Sequence, residues 1–379
     1  MSKLQSRSIA LFVIALLDAS CARPGKPQIE VVDVFGAGSG GYHTFRIPAL
    51  LTTSKGTLLA FCEGRKTSSR DHGDVDLVLR RSADGGRTWG PLELVYEEGG
   101  TAEVTIGNPC PVVDRDTGTI WLPFCRDNND ILLTWSDDDG KSWATPRDIT
   151  PDVKLAGWGW YATGPGVGIQ LGQKPSAGRL VIPCDHREQG EGGLVSKSHV
   201  FYSDDHGRTW RLGGSASAHT DECQVVELSD GRLRLDMRNY REREGKLEGQ
   251  GGARAVAWSL DAGKTWSEVV LDPALVEPVC QASFIRYSGG PGRSDRSRIL
   301  FSNPANRNRR VDLTVRLSYD EGSTWGVERL LKPGPAAYSS LGVLPDQAIG
   351  CLFENGGESP YEKISFARFT LEWLTKGKD

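Results

Sequence analysis

Apolar positions along this chain fall in short runs, not in helical stripes. Residues 120–124, 131–135, 179–183 and 198–202 are rich in β-branched and aromatic side chains and are bounded by Gly, Asp or Pro. Such runs predict short β-strands. Apolar positions spaced to line one side of a helix are hard to find beyond the first 22 residues. Between the runs, the pattern Ser-x-Asp-x-Gly-x-(Thr/Ser)-Trp occurs five times, at 82–89, 136–143, 203–210, 259–266 and 318–325. Each copy reads as a turn. Ser and Asp side chains bond nearby amides, Gly takes a positive φ, and Trp leads into the next strand with its indole beneath the turn.

The aspartates of these boxes are Asp84, Asp138, Asp205, Asp261 and Asp320, a period of roughly 55 to 65 residues that marks a repeat. That length holds about four short strands, one blade of a propeller. Segments 29–35 and 362–374 also alternate like strands. Pairing these two ends in a blade without a box would close the ring and remove its open edges. The pattern therefore predicts an all-β chain, a six-bladed β-propeller with five aspartate-box repeats, in one domain over 23–379. The five carboxylates occupy equivalent turns and cannot converge on one ligand. Function must come from residues outside the repeat.

The formal net charge of −4 argues against nucleic acid as a partner, which would need a broad basic face. Arginine is locally dense at Arg232, Arg234, Arg238, Arg241 and Arg243, and again at Arg307, Arg309 and Arg310; for most of these the default reading is solvated surface. In residues 1–22, Lys3 and Arg7 precede an apolar run too short to span a bilayer. This reads as an export signal cleaved after Ala22, giving a secreted or periplasmic protein with no membrane span. Cys21 leaves a lipid anchor open, although Asp18 stands where such signals want an aliphatic residue. The other cysteines lie in apolar segments with no CxxC spacing and read as small buried hydrophobes. A Cys110–Cys125 bridge across the hairpin they flank is the alternative. No metal site and no cofactor is indicated.

Candidate chemistry begins at Arg46, which sits inside an apolar run. A buried guanidinium must be paired, by an acidic side chain or by a ligand anion. Taken alone, the structural pairing is the simpler reading. Phe45, Arg46, Ile47 and Pro48 ahead of a series of aspartate boxes nevertheless resemble the exo-α-sialidase (neuraminidase) family, over nearly the whole chain after residue 22. The resemblance implies a retaining glycoside hydrolase that removes terminal α-linked sialic acids from glycoproteins, glycolipids and oligosaccharides. It matches Arg46, Arg238 and Arg310 to the three arginines that bind the sugar carboxylate, with Arg309 a rival for the third. Glu354 matches the acid that orients the first arginine, and Arg65 a basic residue near the sugar. Asp71 takes the acid/base position, a choice that spacing alone leaves open against Asp74 and Asp76. Tyr338 matches the nucleophile and Glu222 its base.

Chemistry supports such a set. A planar carboxylate takes bidentate guanidinium bonds. The substrate carries that carboxylate on the reacting carbon, where a neutral phenol is not repelled and an anionic carboxylate nucleophile would be. Trp158, Trp160 and Tyr161 form either a sugar-contacting rim or packing between blades. Asp185 and His186 either face the cleft or are structural. Ser340 departs from the family, where Asp is frequent. No appended lectin module is evident, and a monomer is expected. Two other readings remain: a non-catalytic sialic-acid-binding propeller, which would need the arginines but not Asp71, Glu222 and Tyr338, and a trans-sialidase, the intramolecular kind included, in which water reaches the intermediate differently.

Overall fold

In the computed structural model, which describes residues 29–190 and 192–379, antiparallel strands follow one another into sheets nearly in chain order. The proposed export segment with Cys21 lies outside the described residues. The first sheet holds Thr44–Thr52, Leu58–Arg65, Val75–Ser82 and Glu93–Tyr96. In the second, Ile106–Gly107 and Val112–Val113 share the partner Ile120–Arg126, followed by Asp130–Ser136 and Arg147–Asp148. The third repeats this plan with Tyr161–Thr163 and Ile169–Gln170 on Leu180–Gly190, then Gly193–Ser203 and Arg211–Ser215. The fourth holds Thr220–Glu227, Leu233–Asn239, Ala253–Ser259 and Val270–Val276. A seven-stranded sheet completes the set, from Ser283–Ser288 through Arg298–Pro304 and Val311–Ser318 to Val327–Val343, Ile349–Asn355, Lys363–Phe369 and Ile29–Gly36. Its long strand Val327–Val343 serves twice: residues 327–335 pair with Val311–Ser318, and 336–343 with Ile349–Asn355.

Successive sheets touch in order, and the strand Thr44–Thr52 returns against Val327–Val343 and Ile349–Asn355. The contacts close into a ring, a β-propeller. The two ends of the domain close it by pairing, Ile29 opposite Phe369 and Gly36 opposite Lys363. The apolar core is correspondingly divided into wedges between neighbouring sheets. One joins Phe61 and Leu79 of the first sheet to Leu122 and Phe124 of the second; another joins Val181 and Val200 of the third to Val225 and Leu235 of the fourth.

Each box is the turn between a sheet's last two strands in the first four sheets, and between Val311–Ser318 and Val327–Val343 in the last. The box serine accepts from the glycine amide, as Gly207 N to Ser203 Oγ at 2.8 Å, and donates to the aspartate, as Ser203 Oγ to Asp205 Oδ1 at 2.8 Å. The aspartate also takes the amide and hydroxyl of the following Thr, Thr209 N at 2.9 Å and Thr209 Oγ1 at 2.7 Å. Glycine is required here twice over. Gly207 has φ 81°, and a Cβ on it would lie 2.1 Å from the Trp121 indole of the preceding sheet. The box is thus both a turn and a seat for the neighbouring sheet.

Two expectations need correction. Segment 362–374 is not a strand throughout: Lys363–Phe369 is, and then Thr370 caps a short helix, Leu371–Thr375, by accepting from Trp373 N. Cys110 and Cys125 do not pair. All seven cysteines among the described residues are buried free thiols. Strand register explains it, since Cys110 N bonds Pro123 O while Gly107 sits opposite Cys125. Among the described residues no helix is long and apolar enough to cross a membrane.

Candidate functional site

Arg46 owes its position to a bulge. The strand Thr44–Thr52 loses register between Arg46 and Ala49, with Ile47 at φ 60°. Glu354, fully buried on Ile349–Asn355, accepts Arg46 Nε at 2.6 Å and Ile47 N at 3.0 Å on one oxygen. Its other oxygen accepts Tyr338 N at 3.1 Å. One carboxylate therefore fixes an arginine, the bulge that presents it and the backbone of Tyr338.

A second bulge, between Thr220 and Cys223, interrupts the alternation that would send Asp221 and Glu222 to opposite faces. Both carboxylates meet Arg238. Its Nε and Nη2 donate to Asp221 at 2.7 and 2.5 Å, a bidentate pair, while Nη1 donates to Tyr338 Oη at 3.1 Å and lies 2.7 Å from Glu222 Oε2. The Tyr338 hydroxyl in turn donates to Glu222 Oε1. Arg310 donates to Tyr361 Oη and to Val279 O, each at 3.0 Å. Its guanidinium lies 5.4 Å from the Tyr338 ring centre, and that of Arg46 lies 5.2 Å away. Three cations thus surround one phenol. Arg309 is exposed, and Arg310 is the one that reaches the site.

Asp71 lies on the loop between Leu58–Arg65 and Val75–Ser82, its side chain 66% exposed. It accepts from Arg65 Nη1 at 2.9 Å and stands 3.9 Å from Arg46 Nη1. Arg65 is buried and held by Glu63, at 2.9 and 2.6 Å. The rivals Asp74 and Asp76 are buried, and both pair with Lys66 at 2.8 and 3.2 Å; Asp76 also accepts from Tyr42 Oη. They hold the base of the loop.

The electrostatics follow from burial and from these cations. Burial pushes the Tyr338 phenol well up, and the adjacent Glu222 carboxylate pushes it further; Arg238 and Arg310 oppose both. Burial also raises Glu222, against the pull of Arg238. For Asp71, burial raises the carboxyl, but Arg65 and Arg46 outweigh it and the net shift is downward. The free site holds a protonated phenol hydrogen-bonded to a carboxylate of raised basicity. That pair is suited to delivering a phenolate at the moment of attack.

The aromatic stretch divides. Trp160 is half-buried beside the Asp71 loop, its ring 5.5 Å edge-on from His72 and beneath Arg187. Tyr161 is fully buried against Trp158 and His199, so it packs the core and has no surface for a sugar. His186 is buried too, stacked on Trp158, and burial pulls its pKa down to about 4. Asp185 is buried near Asp221 and Glu222; burial and those two carboxylates push it well up, and one of its oxygens has no partner. Sequence reasoning missed Asp221, Glu63 and Tyr361. Asp221 alone carried a signal, an acid adjoining Glu222 on a strand that also needed to counter Arg238. Among the described residues, metal-ligating side chains gather at Asp114, Asp116 and His206. That cluster lies at the third box, apart from the site, and Asp114 is already bonded to His206 and Gln170.

A family model described as "BNR repeat-like domain" matches residues 56–351. A sialidase of Micromonospora viridifaciens is 36% identical over 95% of this chain and 56% of its own length, so the chain spans about half of that relative. An exo-alpha-sialidase of Arthroderma benhamiae is 33% identical over 89% of this chain and 86% of its own. Among solved structures, the Hadza microbial sialidase Hz136 superposes with a TM-score of 0.79 at 31% identity, covering 91% of this chain and 69% of the other.

Proposed function

The chain belongs to the sialidase family, and on that premise we propose that it is a retaining exo-α-sialidase, a glycoside hydrolase that releases terminal α-linked sialic acids from glycoproteins, glycolipids and oligosaccharides. The observation that carries this reading is the Tyr338–Glu222 hydrogen bond set among Arg46, Arg238 and Arg310.

The arginines take the sugar carboxylate and bring the anomeric carbon over the Tyr338 hydroxyl. Glu222 accepts the phenolic proton as oxygen attacks, and Arg238, donating to that oxygen, stabilises the charge that develops on it. Asp71 gives its proton to the leaving glycosidic oxygen. Water then attacks the tyrosyl-sugar, with Asp71 taking the water's proton and Tyr338 recovering its own from Glu222. Two displacements retain the anomeric configuration. Taken as two four-stranded sets sharing Val327–Val343, the seven-stranded sheet brings the propeller to six blades, five of them with aspartate boxes. We read residues 23–379 as this catalytic domain, exported as a monomer by residues 1–22.

Proton NMR of the purified protein on α2,3-sialyllactose tests the reading. Early release of the α-anomer of free sialic acid is the expected result. First appearance of the β-anomer would remove Tyr338 as nucleophile. An anhydro-sugar product would assign the intramolecular transfer instead, and sialic acid bound without turnover would leave a binding propeller.

A further inference from the structure

One stretch outside every motif touches the strands that carry Arg46, Arg238 and Tyr338, and Arg310 as well. Residues 277–281 connect Val270–Val276 to Ser283–Ser288 across the site. Glu277 Oε1 accepts the amide of Asn239, the neighbour of Arg238, at 2.7 Å. Val279 O accepts Arg310 Nη2 at 3.0 Å. Cys280 is buried against Ile47, Ala337 and Tyr338. Gln281 grips Ser339, the neighbour of Tyr338, through both backbone groups: Nε2 donates to Ser339 O and Oε1 accepts Ser339 N, each at 3.0 Å.

The stretch is itself held in an unfavourable state. Val279 has φ 55°, a region that a β-branched residue enters only under constraint. The constraint is Arg254, which is fully buried. Arg254 Nη1 donates to Glu277 Oε2 at 2.6 Å and to Cys280 O at 2.8 Å, bracketing Val279, and Nε donates to the buried Asp236 at 2.7 Å. Burial of such a cluster is weak support for stability, because apolar side chains of similar volume often do as well. Arg254 Nη2 and Asp236 Oδ2 have no hydrogen-bond partner at all. The cluster is more exacting in geometry than stability alone requires.

We infer that residues 277–281 form a positioning strap, locked by Arg254, whose Glu277–Val279 end sets the carboxylate-binding arginines and whose Gln281 end sets Tyr338. This rests on the sialidase reading of the site. Its two ends make separable predictions. Arg238 stays held at Tyr338 by its bidentate pair with Asp221. Loss of the first end therefore acts mainly through Arg310 on capture of the sugar carboxylate, which ground state and transition state share, and KM rises with little change in kcat. Loss of the second end disturbs the nucleophile and lowers kcat. A merely structural strap would lower the active fraction alike in both variants and leave KM unmoved.

The test pairs Glu277→Gln with Gln281→Met, reading steady-state kinetics on an aryl sialoside, calorimetric binding of free sialic acid and crystal structures. Glu277→Gln is expected to raise KM and the dissociation constant of sialic acid about tenfold, with kcat within about threefold. Gln281→Met is expected to lower kcat about tenfold or more with KM held. Equal loss of kcat in both variants, with KM unchanged, overturns the strap. Should Glu277→Gln fail to fold, the crystal structure of Gln281→Met decides: displacement of the Tyr338 hydroxyl from Glu222 supports the strap, and an unmoved Tyr338 overturns it. Should the wild type neither turn over nor bind sialic acid, the functional reading fails on its own. The crystal structure of Glu277→Gln then judges the strap: displacement of Arg310 from the Val279 carbonyl supports it, and an unmoved Arg310 overturns it.

Discussion

Asp71 is the most exposed of the proposed catalytic groups, and its surroundings work against a proton donor. Arg65 and Arg46 hold its carboxyl down although burial pushes it up. A general acid must carry its proton at working pH. Binding of a sugar carboxylate to Arg46 spends part of that field, so the acid rises as substrate arrives. The sign can be tested. Arg65→Met removes the larger lowering influence, so the pKa of Asp71 rises and the fall in kcat/KM on the alkaline side moves to higher pH. The shift is expected for sialyllactose, whose leaving group needs a proton, and should vanish in Asp71→Asn. A limb that stays in place would detach Asp71 from it. Which residues were legible at this scale depended on pairing. Arg46 announced itself as a charge in an apolar run that needed a partner, and Glu354 is that partner. Tyr338 announced nothing, since a lone tyrosine on a strand has no local signature. The family resemblance singled it out, and its surrounding arginines come from three other strands and loops.

At the scale of elements, the aspartate-box turn was readable because nearly all of its bonds join residues within four positions of one another. Ser259 shows where its strength lies. The buried hydroxyl accepts Gly263 N at 2.8 Å and donates to Asp261 at 2.8 Å, while the Asp261 carboxylate stays largely in solvent. Ser259→Ala leaves a buried amide without a partner and is expected to cost about 1–3 kcal/mol. Asp261→Asn keeps an acceptor at the exposed rim and should cost less, about 1 kcal/mol or under. Urea unfolding of the two variants checks the order, and a larger loss for Asp261→Asn would contradict it. The strap at 277–281 is the opposite kind of element. Its partners Asn239 and Ser339 lie 38 and 58 residues away, so no window of sequence contains the reason for it. The helix Leu371–Thr375 escaped for another reason: five residues are too few to show a helical period, and the alternation of the strand before it runs on into them.

For the whole molecule, the decisive contact is the one that closes the ring. Ile29–Gly36 pairs with Lys363–Phe369, and Asp33 accepts from Ser365 Oγ at 2.6 Å and from Lys363 Nζ at 2.9 Å, across more than 300 residues of chain. Closure also assembles the site, because Arg46 and Glu354 lie on opposite sides of the seam and meet at 2.6 Å only when the ring is shut. Stability and sialic-acid binding should therefore fail together. Phe35 is buried at the seam, 5.2 Å from the Phe45 ring, whereas Val31 on the same strand is exposed. Phe35→Ala is expected to lose about 3–5 kcal/mol, and Val31→Ala about 0.5 kcal/mol or less. Deleting residues through Gly36 is more severe, since it leaves Lys363–Phe369 as an open edge ready to pair with another chain. Size-exclusion chromatography and calorimetry with sialic acid read both consequences. The truncated protein should associate and bind no ligand. A truncated monomer that still binds sialic acid would mean that Glu354 holds Arg46 without the closing strand, and that the seam serves stability alone.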